Sequence, residues 1–547
     1  MTHARSYLFF NGPILTMDPR RPSSETLLTS GERILALGSL SETRALAPPD
    51  CQKVDLRGRA LLPAFIDGHG HFLSAGRQFA HEVDLRPSPL GRGDSLADAL
   101  LAVQEKAGQT PPGGWIFGFG YDDTHFKEKR HPLAEDLDQA APGRLVALSH
   151  ASGHFLAVSG PVLKLVGYGP QTPDPPGGKI RRKADGAPSG LLEEPPAMDP
   201  VEALFPQRSL EEEYAALKTA SQAWLSQGVA TAQEGWATQR DIDIYARAIT
   251  EEDSPLSLRV QILPGDGRAD FASLPRRAGS PLDAGRRLTL GPVKLFADGS
   301  IQGFTAYLSN PYHATLYDFP YDYRGYPMIE SSALKERVLL HHRAGRQIAI
   351  HGNGDAAIEE ILNAFEEALR ASPRADHRHY VIHCQTVRED QLDRLARLGA
   401  MASFFAVHVR HWGDRHRDIF LGEDRAARLN PLKSALKRKI PFSLHNDCPV
   451  TPISPLRSVE TAVTRLTALG APLGPEYRIG AGDALAAVTT KAAYLAFEEE
   501  RKGTLAPAFL ADLCVLSRSP LEAPPEKIAE IKVEATLVGG QTAYGEL

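Results

Sequence analysis

The chain has 547 residues, 42% of them hydrophobic, 23% charged and 7% aromatic, with a formal net charge of −6. That is the composition of a globular protein too long for one ordinary domain. It has neither the basic field that nucleic acid demands nor a polybasic or membrane-length apolar stretch, so nucleic acid and membrane are excluded as partners.

The opening segment, MTHARSYLFFNGPILTMDP, lacks the apolar core and small-residue cleavage site of a signal peptide. Cys51, Cys384, Cys448 and Cys514 are scattered, with no C-x-x-C pair. A cytoplasmic protein with free thiols is expected, without a disulfide framework or zinc ribbon.

Tyr7 to Met17 is apolar around Asn11-Gly12, a hairpin signal. Short strands are predicted at Thr26–Thr29, Ile34–Leu37 and Lys53–Leu56, and again near the C-terminus at Leu513–Leu516 and Ile531–Val538. Neither end has enough residues for a core of its own. A small β-sandwich built jointly from residues 1–60 and 490–547 would solve that for both.

Between the ends, short apolar runs alternate with helix-like stretches, the rhythm of βα units. Eight runs fit: Ala64–Asp67, Val229–Ala232, Leu258–Leu263, Val293–Phe296, Gln347–Ile350, Tyr380–Ile382, Ala402–Val407 and Ile440–Leu444. Amphipathic helices suit several gaps, such as Glu211–Ser226 and Glu359–Ala371. The expected fold is α/β, a (β/α)8 TIM barrel with its first strand in 61–76 and the remainder in 209–489. Residues 77–208 are far more chain than one βα loop needs, and are expected to form an inserted subdomain over the barrel mouth.

Catalytic residues of such barrels sit at the C-terminal ends of strands. The first run ends Asp67-Gly68-His69-Gly70-His71, where alternation puts His69 and His71 on one side, within reach of a single metal. Lys294 stands among Val293, Leu295 and Phe296, where an ammonium is costly unless paired or chemically changed. His351, His383 and Asp447 end the fifth, sixth and eighth runs. Each is weak evidence alone, since a strand-end histidine is more often structural. Their order, one βα unit and then two, is what binds them into a set. A second H-x-H pair, His377/His379, precedes its run and reads as surface loop.

LLPAFIDGHGHF resembles the first-strand motif of the metal-dependent amidohydrolase superfamily, and KGTLAPAFLADLCVL resembles its C-terminal sandwich strand. VKLFADGS, AIHGNGDAAI, VIHCQTV and HNDCPVTPISP resemble the branch that contains N-substituted formamide deformylase. The resemblance implies that His69, His71, His351 and His383 are ligands of a divalent metal, zinc, one or two ions per chain. It makes Lys294 a carboxylated lysine bridging two metals, and Asp447 the base that handles the proton of an activated water. Ile301–Phe304 and Asn446 depart from the branch pattern, which bears on the substrate and not on the ligands. The implied activity is hydrolysis of a non-peptide C–N bond of amide type, such as an N-substituted formamide or N-acyl amine.

Substrate contacts are expected from His154, Glu193, Tyr307, His408 and Trp412, with His411 beside them. The aromatic segment Phe304–Tyr326 (Tyr307, Tyr312, Tyr317, Phe319, Tyr321, Tyr323) would either line an apolar pocket or pack its loop onto the barrel. The expected partner is a small-molecule substrate, and the expected assembly a homodimer. Rival readings are a one-metal deaminase, which would carry Glu where Gly354 stands, a catalytically silent binding protein on the same scaffold, and a purely structural barrel.

Overall fold

The computed structural model describes residues 5–88, 90–314 and 319–547. All eight apolar runs carry parallel strand. One sheet orders Leu288–Leu290, Arg259–Pro264, Val229–Ala237 and Phe65–Ile66. A second orders Val293–Phe296, Ile348–Gly352, Tyr380–His383, Met401–Phe404 and Phe442–Leu444. The fourth run is thus longer than expected and is broken at Gly291-Pro292, where proline has no N–H to give the ladder. A parallel bridge between Gly265 and Lys294 ties the two sheets together. At the other edge, Asp447 N–H donates to His69 O (3.1 Å) and His71 N–H to Cys448 O (2.8 Å).

The strands are buried on both faces, so they read as near-continuous Val, Ile, Leu and Ala, and helices cover them. Helix Leu210–Leu225 starts from a capping box, Ser209 with Glu212, and buries Leu217 and Trp224. Helix Asp355–Ala371 turns Ile358, Ile361, Leu362 and Phe365 inward, and begins four residues before the sequence signal.

Within 77–208 lies a six-stranded mixed sheet, ordered Lys179–Arg182, Pro188–Glu193, Phe155–Val158, Leu145–His150, Trp115–Tyr121 and Val83–Asp84. The two chain ends share one sheet and a core: Ala60–Pro63 pairs antiparallel with Leu513–Leu516, and Phe9, Leu27 and Leu61 pack with Val515, Ala535 and Leu537. Among the described residues, no helix is long and apolar enough to cross a membrane.

Two local expectations fail. Tyr7–Phe10 and Ile14–Asp18 do not form a hairpin: the first pairs with Thr26–Ser30 and Gln52–Asp55, the second with Arg21–Ser24 and Ala60–Pro63. Asn11, with φ of 61°, instead turns the chain from one sheet into the other. His377 and His379 are not on a surface loop but 2% and 0% exposed. His379 Nδ1 accepts the Ile348 N–H (3.1 Å) and its Nε2 meets His342 (2.9 Å), so backbone and histidine partners satisfy the ring inside the core.

Candidate metal centre

The strand ends deliver their side chains to one place. Gly68 is required there, because a Cβ would lie 2.6 Å from Leu444 O and 2.8 Å from Ser443 Oγ. Asp67, next to it, accepts the Trp224 indole N–H at Oδ2 (3.0 Å), and burial raises its pKa to about 6. This anchors the turn that presents His69, buried, and His71, which begins helix Phe72–His81.

Asp447, with φ of 52°, lies opposite. Its Oδ1 is 3.4 Å from His71 Nε2 and 3.7 Å from His69 Nε2, and its Oδ2 is 3.9 Å from His383 Nε2. Burial alone would raise its pKa, but His71, His445 and Lys294 hold it below the usual carboxylate value. His383 Nε2 is 3.1 Å from His351 Nδ1. Lys294 Nζ lies 3.1 Å from His69 Nε2 and 4.6 Å from the centre of the Phe296 ring. No carboxylate among the described residues pairs with it directly, and burial lowers its pKa to about 7. A neutral amine at that position is the form that can be carboxylated.

Donor atoms of His69, His71 and Asp447 all lie within 4.8 Å of one another. His69 Nδ1 and Asp447 Oδ1 are buried without a hydrogen-bond partner. Burial also holds His69, His351 and His383 well below the usual histidine pKa, in the neutral form that binds cations. Orphaned buried donors, neutral imidazoles and one carboxylate form a set suited to a divalent ion such as zinc.

A cavity of about 250 Å³ opens onto these groups, reaching His71, Lys294, His351, His383 and Asp447. Phe119, Met198, Trp236 and Phe296 give it an apolar wall. His154 lines it too, with its Nδ1 2.6 Å from Glu194 Oε2 and its ring 5.1 Å from that of His351. Burial would lower the His154 pKa, but the adjoining Glu194 carboxylate raises it.

The remaining expected substrate residues are not part of this cavity. Glu193 lies on the other side of its strand, paired with Arg181 and accepting from Tyr326 (3.1 Å), in a separate cavity of about 230 Å³. His408 is buried against His416 (3.0 Å), and Trp412 donates to Asp122 (3.1 Å). Tyr307 is engaged through its backbone, with its N–H on Asp298 (2.9 Å) and its carbonyl on Ala356 and Ala357 (3.2 Å each). Tyr312, Phe319 and Tyr323 pack with Phe304 and Leu421, whereas Tyr321 is 95% exposed. Tyr317 lies outside the described residues.

Sequence reasoning missed Glu194, Asp298 and His445. Asp298 accepts the N–H groups of Asn353 (3.0 Å), Gly354 (2.7 Å) and Tyr307, stapling the loops after the fourth and fifth strands, and burial raises its pKa to about 7. A second group, Asp122, Asp123 and His150, also brings donors together. There the Arg415 guanidinium sits 2.8 Å from Asp122, so that carboxylate already has a fixed cation as its partner.

Parallel strands that bring histidines, a lysine and an aspartate to one end define an α/β protein of TIM-barrel type with a candidate metal centre. The chain belongs to the amidohydrolase family, whose model matches residues 52–544. It is 29% identical to N-substituted formamide deformylase of Arthrobacter pascens, over 100% of this chain and 99% of that one. It is 30% identical to the protein LONG AFTER FAR-RED 3 of Arabidopsis thaliana, covering 98% and 91%. Among solved structures, an uncharacterized metal-dependent hydrolase of Pyrococcus furiosus matches with a TM-score of 0.71 and 25% identity, covering 94% of this chain and 100% of that one.

Proposed function

We propose that the chain is a metal-dependent hydrolase of a non-peptide, amide-type C–N bond, with an N-substituted formamide or N-acyl amine as its small-molecule substrate. The observation that carries this is the convergence of His69, His71, Lys294, His351, His383 and Asp447 from five strand ends onto one cavity. In this reading the eight parallel strands form one closed barrel, 61–76 with 209–489. The insertion 77–208 covers its mouth, a sandwich from 1–60 and 490–547 flanks it, and the chain works as a homodimer in the cytoplasm.

His69, His71, His351 and His383 would hold one or two zinc ions, with Lys294, carboxylated, as a further ligand. Bound there, the metal supplies Lewis acidity toward a carbonyl and acidifies water. Asp447, within reach of both His69 and His71, takes the proton from the water and returns it to the departing nitrogen. His154, steadied by Glu194, faces the substrate and hydrogen-bonds its carbonyl group. The wall of Phe119, Trp236 and Phe296 shelters an apolar N-substituent.

Zinc-loaded protein is to be assayed against a panel of N-alkyl and N-aryl formamides, acetamides, carbamates and lactones, with metal per chain counted by mass spectrometry. Amine release from the formamides or acyl amines is expected. A metal-replete protein that leaves the whole panel untouched would sink the reading in favour of a silent binding protein.

A further inference from the structure

His383 has two nitrogens, and only one can face the metal centre. Its Nδ1 lies 3.0 Å from His445 Nε2, and His445 Nδ1 lies 2.8 Å from Ser403 Oγ. Ser403 Oγ donates to Gly68 O (3.2 Å) and accepts from the Ser443 hydroxyl (2.8 Å). His445 is 1% exposed and both serines 0%, so behind His383 no bulk water offers the relay groups other partners.

The far end of this chain of bonds fixes the rest. Gly68 O can only accept and receives no other hydrogen bond among the described residues, so satisfying it takes the Ser403 hydrogen. The oxygen of Ser403 is then left as acceptor for Ser443 and for a proton on His445 Nδ1. A ring protonated at Nδ1 presents a lone pair at Nε2, so His383 must donate from its Nδ1. The opposite assignment would either strip Gly68 O of its donor or put protons on both nitrogens of His445.

We infer that His445 and Ser403 are positioning residues that lock His383 in the tautomer whose Nε2 lone pair faces His351 and Asp447. The inference rests on the metal reading above and adds a second layer to it. The relay runs from the sixth strand through the eighth and seventh to the backbone carbonyl of Gly68, the residue before His69. One ligand is thereby oriented against the loop that carries two others.

The test uses the full-length chain with zinc alone as the probe. Apparent zinc affinity is read by competition against a chromogenic chelator, and the visible absorption of the cobalt-substituted protein reports ligand geometry. His445→Phe fills the space but cannot relay, and is expected to weaken zinc about 10–100-fold, the usual cost of losing an outer partner of a ligating histidine. His445→Gln recovers most of that loss, because an amide can accept from His383 and donate to Ser403. A merely space-filling role would give the reverse ranking. Ser403→Ala weakens zinc in the same direction, and reports the relay should His445→Phe not fold. Native zinc affinity and cobalt spectrum in His445→Phe, with binding lost in His383→Ala, would overturn the inference alone. Native binding in His383→Ala would instead remove the metal reading beneath it.

Discussion

Replacing Gly354 with alanine tests the loop geometry behind the choice between hydrolase and deaminase. A Cβ at 354 would fall far inside van der Waals contact with the Tyr307 carbonyl, and 2.8 Å from the Tyr307 nitrogen. All three neighbours are backbone, so no side chain can swing aside. Restoring contact distance means moving the Tyr307 segment by on the order of 1 Å. That movement disturbs the hydrogen bonds from Ala356 and Ala357 N–H to Tyr307 O, each 3.2 Å. Two such bonds at about 1 kcal/mol each, with about 1–3 kcal/mol of overpacking, give an expected destabilisation of about 3–5 kcal/mol. Urea unfolding of metal-stripped Gly354→Ala against the parent measures it. A difference below about 0.5 kcal/mol, the size of a neutral surface change, would refute the steric reasoning. The same clash bars a glutamate, so Gly354→Glu should damage the fold rather than confer deaminase chemistry.

Four further outcomes are expected. Asp447→Asn should abolish turnover while metal content by mass spectrometry stays near the parent's; loss of metal would mean Asp447 is a ligand rather than the base. Glu194→Gln should lower kcat more than it raises KM, since it loosens His154 without narrowing the cavity; an unchanged kcat in steady-state assays would detach the pair from catalysis. Burial, aided by Arg415, lowers the His416 pKa to about 3 against an ordinary 6.5. The unfolded chain therefore takes up a proton between pH 6.5 and 3 that the folded chain refuses, so this stability is complete above 6.5 and lost as pH falls. By linkage His416→Gln should remove about 2 kcal/mol of the stability difference between pH 7.5 and pH 5, and urea titrations showing an undiminished difference would contradict it. Finally, Asp512 pairs with Arg259 (2.9 Å) where the C-terminal strands meet the barrel strands, and both are buried. Asp512→Ala should cost about 3–5 kcal/mol by stranding the guanidinium, read as a fall in melting temperature.

The strand pattern was legible because strands buried on both faces read as apolar runs, and five of the eight carried a candidate site residue at or near their ends. His69, His71, Lys294, His351, His383 and Asp447 could be named from that rule together with their spacing. Glu194 could not be separated from Glu193: the strand Pro188–Glu193 ends between them, and Glu194, with φ of 65°, turns the chain into helix Pro195–Glu202, a reversal that two adjacent glutamates do not announce. His408 and Trp412 follow the seventh strand as active-site residues would, yet helix His408–Arg415 turns them into contacts with His416 and Asp122. The failed hairpin has the same origin, since the partners of Tyr7–Phe10 and Ile14–Asp18 were chosen by the interior shared with the C-terminus.

The pairing of Ala60–Pro63 with Leu513–Leu516 has a consequence for synthesis. Ala64 alone separates Ala60–Pro63 from Phe65–Ile66, the strand that leads to His69 and His71. Leu61 faces Val515 across the ladder, some 450 residues later. At a ribosomal pace of roughly 5–20 residues per second, that edge waits roughly 20–90 seconds for its partner to be made. Until then the nascent protein exposes an apolar strand, so chaperone dependence and aggregation during expression should concentrate in this interval, and a stop codon before Leu513 should yield insoluble product.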